Sequence, residues 1–122
     1  MILRVFIVED EEMIRKGLVH TINWAGMGCL VVGSAADGRS GLSSILQKRP
    51  DVVITDIRMP FMDGMQLCEA VSHTMPWVQI VILSGYDDFT YAQQAISLGV
   101  KEYLLKPVTA QELKEVLDRI SA

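Results

Sequence analysis

Short apolar runs alternate along the chain with segments in which apolar residues recur every three or four positions. Runs rich in Val, Ile and Leu, with few polar residues between them, are typical of strands covered on both faces, as in a parallel sheet. Five such runs are present, at Ile2–Val8, Leu30–Ala35, Asp51–Thr55, Val78–Leu83 and Glu102–Leu105. The pattern therefore predicts five strands of a parallel sheet.

A segment of helical period follows each run. Its apolar residues are spaced as on one face of an amphipathic helix. The five stripes comprise Met13, Ile14, Gly17, Leu18 and Ile22; Leu42, Ile45 and Leu46; Met65, Leu67, Cys68 and Val71; Phe89, Ala92, Ala95 and Ile96; and Leu113, Val116, Leu117 and Ile120. The segment 23–29 is the one long connection, and the pattern assigns it no structure.

Polar residues at the segment ends support the helix boundaries. Thr109 is followed three residues later by Glu112, and Asp63 by Gln66, as in a capping box at a helix N-terminus. Gly99 follows the fourth stripe, where a left-handed residue commonly ends a helix. With right-handed crossovers, the order (βα)5 predicts an α/β fold, a doubly wound three-layer sandwich around a five-stranded parallel sheet.

Composition narrows the class of protein. The 122 residues are 50% hydrophobic and 21% charged, which suits one domain and argues against disorder. The formal charge of −4 argues against a domain that grips DNA phosphates. No apolar run is long enough to cross a bilayer and no signal-peptide pattern is present, so we expect a cytoplasmic protein. We expect Cys29 and Cys68 to be packed thiols.

The candidate chemistry lies directly after the runs, where the functional site of such a fold is found. Glu9–Glu12 follow the first run, Asp56 the third, Ser84 the fourth and Lys106 the fifth. Taken singly, most of them have an ordinary explanation, such as acidic residues in the first turn of a helix. Their convergence on one edge of the sheet indicates a site that combines carboxylates, a hydroxyl and an ammonium group.

Carboxylates held together repel one another, and a divalent cation relieves the repulsion. Mg²⁺ suits this site because it binds a few carboxylates and keeps several waters, which leaves room for a phosphoryl oxygen. Asp56 is then placed to attack phosphorus, Ser84 to donate a hydrogen bond to a phosphoryl oxygen, and Lys106 to offset charge. The residues therefore favour a metal-assisted phosphoacceptor aspartate.

The same residues lie in motifs that resemble the receiver (CheY-like) domain of two-component response regulators. The motifs are FIVEDE at 6–11, DVVITDIRMPFMDG at 51–64, ILSGYDD at 82–88 and GVKEYLLKPV at 99–108. They occur in receiver order and spacing over essentially the whole chain, so we expect residues 1–122 to form one receiver domain without its output domain. The resemblance implies the flavodoxin-like strand order 2-1-3-4-5.

The resemblance also implies a phosphoacceptor and its metal ligands. Asp56 is the phosphorylated residue, and Mg²⁺ is bound by Asp10, Asp56 and the backbone carbonyl of Arg58, with Mn²⁺ or Ca²⁺ as substitutes. Glu9 acts through a water, and it stands where many receivers have Asp. Such a domain is not an enzyme beyond assisting its own phosphorylation and dephosphorylation.

Two further residues are implied to act as a switch. Ser84, in place of the frequent Thr, is the hydroxyl that moves towards the phosphoryl group, and Tyr103 is the aromatic residue that turns inward. Lys106 contacts the phosphate, and the Lys106–Pro107 peptide bond is expected to be cis. Tyr86 is hypothesised to screen the acyl phosphate from water.

Partners follow from the same likeness. A sensor histidine kinase is expected to supply the phosphoryl group, and phosphorylation is expected to favour a homodimer through the fourth helix, fifth strand and fifth helix. Ile22-Asn23-Trp24 and LSGYDDFTYA at 83–92 resemble receivers attached to AraC-type domains. DNA is therefore expected to be bound only through an output domain outside this chain, and no membrane contact is expected.

Three other interpretations remain open at this point. A flavodoxin-like electron carrier shares the fold class, but Glu9–Glu12 would repel the phosphate that its first loop binds. A phosphatase of the haloacid dehalogenase type forms an aspartyl phosphate after its first strand, whereas Asp56 follows the third run. A degenerate receiver that works as an interaction module is the third, and the complete set of acidic residues, Asp56, Ser84 and Lys106 argues against it.

Overall fold

A computed structural model describes residues 2–85, 93–94, 97, 99–100 and 102–121. Its five strands form one parallel sheet in the order β2-β1-β3-β4-β5. They are β1 (Leu3–Val8), β2 (Cys29–Ala35), β3 (Val52–Asp56), β4 (Gln79–Ser84) and β5 (Glu102–Leu105). The predicted strand order is confirmed. Asp56 and Ser84 are the last residues of their strands, rather than the first residues after them.

Helices follow β1, β2, β3 and β5, as predicted. They are α1 (Glu12–His20), α2 (Gly38–Lys48), α3 (Gly64–Thr74) and the C-terminal helix α4 (Ala110–Ser121). Phe89, Ala92, Ala95 and Ile96 lie outside the described residues, so the helix predicted from the fourth stripe takes no label. Gly99 has a φ of +80°, the left-handed conformation predicted for it.

Both predicted capping boxes are present. Before α3, the Asp63 carboxylate accepts a hydrogen bond from the Gln66 amide at 2.8 Å, and the Gln66 side chain accepts one from the Asp63 amide at 3.0 Å. Before α4, Thr109 and Glu112 exchange the same pair of bonds at 3.1 and 3.0 Å. The signals for these helix starts are local, which is why they can be interpreted from sequence alone.

Two apolar cores lie on opposite faces of the sheet, because successive side chains of a strand alternate between faces. Phe6 and Val8 belong to the core under α2 and α3, while Val5 and Ile7 belong to the core under α1 and α4. All of β3 is buried. This arrangement is the predicted three-layer sandwich, and it brings the carboxyl ends of the strands to one edge of the sheet.

The connection that the sequence pattern left unassigned contains a short 3-10 turn at Ala25–Met27. Trp24 precedes it, is buried, and donates a hydrogen bond from its indole nitrogen to the Leu18 carbonyl at 2.9 Å. The segment therefore covers the end of α1 with an aromatic side chain.

Cys29 and Cys68 are free and buried, and they belong to the cores on opposite faces of the sheet. Their prediction as packed thiols is confirmed. Within the described residues, no helix has the length and apolar character needed to cross a membrane.

Candidate functional site

Three carboxylates meet at the carboxyl edge of the sheet. Glu9 and Asp10 follow β1, and Asp56 ends β3, which is paired with β1. Carboxylate oxygens of these residues all lie within 4.8 Å of one another. Glu9 is fully buried and Asp56 is 6% exposed, whereas Asp10 is exposed to solvent. The cluster therefore has a buried floor and one open side.

Lys106 reaches this cluster from the end of β5. Its ammonium nitrogen lies 2.9 Å from Glu9 Oε1 and 3.0 Å from Asp56 Oδ2. The Lys106 amide donates to the Ser84 carbonyl at 2.7 Å, and the Lys106–Pro107 peptide bond is cis. One ammonium group thus pairs with carboxylates from β3 and from the end of β1, and it offsets only part of their charge.

Burial dominates the electrostatics of the pocket. The pKa of Glu9 is raised to about 7, chiefly by burial and also by the nearby Asp56 charge, against the opposing effects of Lys106 and the Glu11 amide. Burial likewise raises the pKa of Asp56, again opposed by Lys106. Burial lowers the pKa of Lys106, but both carboxylates more than reverse this, so its pKa is raised. The raised pKa values mean that ionising both carboxylates is costly here, and a second cation would lower that cost by stabilising the ionised forms.

Ser84 and Tyr103 meet beside the cluster. Ser84 is fully buried at the end of β4, and its hydroxyl is hydrogen bonded to the hydroxyl of Tyr103 on β5. Tyr103 is half-buried and packs against the core under α2 and α3. The two residues that the sequence interpretation named as a switch are therefore in direct contact.

The loop after β3 is held close to the end of that strand. The Ile57 amide donates to Asp56 Oδ1 at 2.8 Å, and the Gly64 amide donates to the Ile57 carbonyl at 2.7 Å. A Cβ atom on Gly64 would lie 2.3 Å from the Asp56 carbonyl oxygen, so only glycine fits this approach. Arg58 is an exposed residue of this loop.

The acidic cluster fits a hard divalent cation. Glu9 Oε1 is buried and accepts no hydrogen bond of good geometry from the part of the chain that the structure describes, although the Lys106 ammonium lies close to it. An all-oxygen set of donors with one open side is what Mg²⁺ prefers, since Mg²⁺ keeps several waters. Glu9, Asp10 and Asp56 supply such a set.

Glu11 and Glu12 do not join the cluster. Glu11 stands at the N-cap of α1, and Glu12 forms an exposed ion pair with Lys16 at 2.8 Å. They are the ordinary acidic first turn of a helix, as one reading of the sequence allowed. Tyr86 lies outside the described residues.

Arg15 is a residue that the sequence analysis did not single out. Its guanidinium donates to the backbone carbonyl of Glu9 at 2.8 Å and so ties the acidic turn to α1. The available signal was a basic residue one turn into the helix that follows the acidic turn, and this signal is weak because basic residues on helices are common.

Comparison with known proteins agrees with this geometry. The family model of the response regulator receiver domain matches residues 5–118. The transcriptional regulatory protein YesN of Bacillus subtilis is 40% identical over 119 residues, which are 98% of this chain and 32% of YesN. The chain spans between about a third and a half of the length of the curated relatives it matches.

Solved structures show the same likeness. The receiver domain of AraT, a response regulator from Geobacillus stearothermophilus, is 40% identical with a TM-score of 0.91, over 98% of this chain and 93% of that one. A two-component transcriptional regulator AraC from Clostridium phytofermentans is 32% identical with a TM-score of 0.83, over 97% and 90% of the two chains. Since the family match runs from β1 into α4, the chain belongs to the response regulator receiver domains of two-component systems.

Proposed function

We propose that Asp56 accepts a phosphoryl group in a reaction that depends on Mg²⁺. The observation that carries this proposal is the cluster of Asp56 with Glu9 and Asp10, completed by the Lys106 ammonium at 3.0 Å from Asp56 Oδ2. Membership of the receiver family supports the same assignment. A sensor histidine kinase is the proposed donor.

Asp10 and Asp56 would hold the cation directly, together with the Arg58 carbonyl, and Glu9 would hold it through water. The bound cation offsets the charge of the phosphoryl oxygens. Mn²⁺ or Ca²⁺ could bind to the same oxygen ligands in place of Mg²⁺.

Asp56 is oriented for attack by two contacts, since Oδ1 accepts the Ile57 amide and Oδ2 pairs with Lys106. In the transfer, a bond forms between an Asp56 oxygen and phosphorus while the donor's phosphorus–nitrogen bond breaks. The phosphohistidine reacts with its other ring nitrogen already protonated, so the histidine nitrogen takes that electron pair and leaves as a neutral imidazole. Lys106 then faces the phosphoryl group and offsets its charge.

Ser84 supplies the conformational response. Its hydroxyl donates to a phosphoryl oxygen once it leaves Tyr103, and Tyr103 then repositions on β5. We place the homodimer surface on β5, α4 and the helix predicted around 89–96. Leu105, an exposed apolar residue on β5, supports this choice.

The whole protein is proposed to regulate transcription. The name of YesN supports a role in transcription, and that of the AraC regulator supports an AraC-type output domain, which would contact DNA outside the present chain. The resemblance of Ile22-Asn23-Trp24 and the segment 83–92 to such receivers points in the same direction.

The test is intact-mass spectrometry after incubation with acetyl phosphate, with and without Mg²⁺. Wild type is expected to gain one phosphoryl group only with Mg²⁺, and Asp56→Asn is expected to gain none. Asp51→Asn is a matched control, since Asp51 precedes the same strand and accepts the Arg4 amide at 2.9 Å, far from the cluster. It should be phosphorylated like wild type.

Two outcomes would overturn the proposal. An equal gain in Asp56→Asn would place the phosphoryl group elsewhere. No gain from acetyl phosphate or from a phosphorylated kinase domain would favour the degenerate receiver, which acts as an interaction module without phosphorylation.

A further inference from the structure

Residues 35–39, which run from the end of β2 into α2 and are called the β2–α2 turn here, contact Glu9 on one side and the loop that follows Asp56 on the other. On one side, the Glu9 amide donates a hydrogen bond to the Ala35 carbonyl at 3.0 Å. This bond continues the pairing of β1 with β2 by one residue, beyond Val8 and Ala35. The β2–α2 turn therefore fixes the backbone that presents Glu9 and Asp10.

On its other side, the β2–α2 turn packs against the loop that follows Asp56. A Cβ atom on Gly38 would lie 2.3 Å from the Met62 carbonyl oxygen and 2.9 Å from Met62 Cβ. The Arg39 guanidinium lies over the Phe61 ring, 5.7 Å from its centroid. Because the nearest atom to Gly38 belongs to the backbone, an added methyl group at Gly38 cannot be accommodated by a side-chain rotation and must displace the loop.

The loop that receives these contacts has a strained conformation. Phe61 has a φ of +69°, and the Met62 amide donates to the Pro60 carbonyl at 2.8 Å, which closes a three-residue turn around Phe61. A non-glycine residue holds a positive φ only where the surrounding structure imposes it. Phe61 is 78% exposed, so its own burial does not impose this conformation. The contacts of Gly38 with Met62 and of Arg39 with Phe61 do act on this turn.

The β2–α2 turn is itself held firmly. The Asp37 carboxylate accepts the Ser40 amide at 2.8 Å, and the Asp37 carbonyl accepts the Gly41 amide at 2.9 Å. Capping hydrogen bonds hold the first turn of α2 in place, so this turn can fix the distance between the two loops that it contacts.

We propose that Gly38 is a positioning residue, and that the β2–α2 turn sets the separation between the Glu9–Asp10 turn and the Asp56–Arg58 loop. Since those two segments carry the proposed ligands, this separation determines the affinity of the site for a divalent cation. The inference rests on the proposed metal site and adds a residue that contributes no ligand to it.

The test compares the Mg²⁺ dissociation constants of wild type, Gly38→Ala and Gly33→Ala by isothermal titration calorimetry. Gly38→Ala should weaken binding by at least about tenfold, as changes in the residues that support metal ligands commonly do. Gly33→Ala is the matched control, because its Cβ would lie 2.8 Å from the Phe6 ring and touch neither loop. Its dissociation constant should stay at the wild-type value although its thermal stability falls.

A second pair of variants keeps the test valid if Gly38→Ala does not fold. Phe61→Ala removes the exposed ring under Arg39 without changing any charge, and it should weaken Mg²⁺ binding by about two- to fivefold. Phe61→Tyr retains an aromatic ring and should restore binding. Amide hydrogen exchange of Gly64 in the metal-free protein should be faster in Gly38→Ala and Phe61→Ala than in wild type, because its bond to Ile57 closes the displaced loop.

The possible failures are distinguishable. Unchanged Mg²⁺ affinity in folded Gly38→Ala and Phe61→Ala would overturn the positioning role while leaving the proposed function intact. Equal weakening in Gly33→Ala would overturn it as well, since general destabilisation would then account for the effect. Absence of Mg²⁺ binding by wild type would overturn both proposals.

Discussion

The Ser84 hydroxyl is hydrogen bonded to the Tyr103 hydroxyl across the neighbouring strands β4 and β5. Ser84 is fully buried at the edge of the acidic cluster, while Tyr103 is half-buried on the outer strand of the sheet. A serine hydroxyl has one proton to donate. A phosphoryl oxygen on Asp56 and the Tyr103 hydroxyl would therefore compete for Ser84, which links the pocket to the surface of β5.

Tyr103→Phe should lower the free energy of unfolding of the unphosphorylated protein by about 1 kcal/mol, because the buried Ser84 hydroxyl loses a partner. With Mg²⁺ and the phosphoryl mimic beryllofluoride, the difference from wild type should shrink, since Ser84 then has another acceptor. Urea denaturation under both conditions measures this. An equal loss of stability with and without beryllofluoride would rule out competition between Tyr103 and the phosphoryl group for the Ser84 hydroxyl.

The pocket should make the metal-free protein less stable as pH rises. Glu9 has a pKa of about 7 in the folded chain against an ordinary value of 4.5, and the pKa of Asp56 is raised too, both through burial. Between those pH values the folded state binds more protons than the unfolded state, so the free energy of unfolding falls from about pH 4.5 to about pH 7. Glu9→Gln should flatten this dependence in chemical denaturation across that range.

Mg²⁺ should reverse the trend, because it binds the ionised carboxylates and stabilises the folded state more at the upper end of the range than at the lower end. A dependence on pH that is equally steep in Glu9→Gln, without metal, would show that other groups are responsible.

Lys106→Met should leave Glu9 and Asp56 without their shared ammonium group. The expected loss in the free energy of unfolding is about 2 kcal/mol near neutral pH without metal, since two buried carboxylates lose the ammonium group that forms an ion pair with each of them. Lys114→Met is the control, because Lys114 pairs with Asp118 at an exposed site and its loss should cost much less than that of Lys106. Similar losses in the two variants would mean that the ion pairs of Lys106 contribute little.

Gly64→Ala should destabilise the chain by about 2 kcal/mol, because its Cβ would lie 2.3 Å from the Asp56 carbonyl oxygen and 2.8 Å from Ile57 Cα. Gly17→Ala in α1 has no heavy atom within 4 Å of the added carbon and should stabilise the helix by about 0.5–1 kcal/mol. Thermal unfolding of the two variants should therefore shift in opposite directions. An unchanged midpoint of thermal unfolding in Gly64→Ala would mean that the loop can move to accommodate the methyl group at little cost in free energy.

Much of the fold was predictable because its signals are local. The β3 run is buried on both faces, so its apolar pattern identifies a central strand without knowledge of its neighbours. Asp63 and Gln66 bond to each other, so the start of α3 depends only on residues three positions apart. The start of α2 was harder to predict, since Asp37 caps it through Ser40 without a Gln or Glu in the position that completes a capping box.

The candidate site was predictable as a set of residues, because the carboxyl ends of parallel strands must meet at one edge of the sheet. Its internal arrangement was not. The sharing of Lys106 between Glu9 and Asp56, and the tie from Arg15 to the Glu9 carbonyl, depend on side-chain directions that no sequence spacing specifies. The homodimer surface, the role of Tyr86 and the helix around 89–96 stay predictions.

The sequence by itself determined the alternation of strands and helices, the capped helix starts and the set of residues at the strand ends, since each depends on the nature and spacing of residues near one another in the chain. Only the tertiary structure determined how far burial raises the pKa of Glu9. It also determined that the Ser84 hydroxyl is hydrogen bonded to Tyr103, and that Gly38 packs against the Met62 carbonyl. These properties arise from the distances between segments that lie far apart in the sequence, and those distances are set by how the helices pack on the sheet.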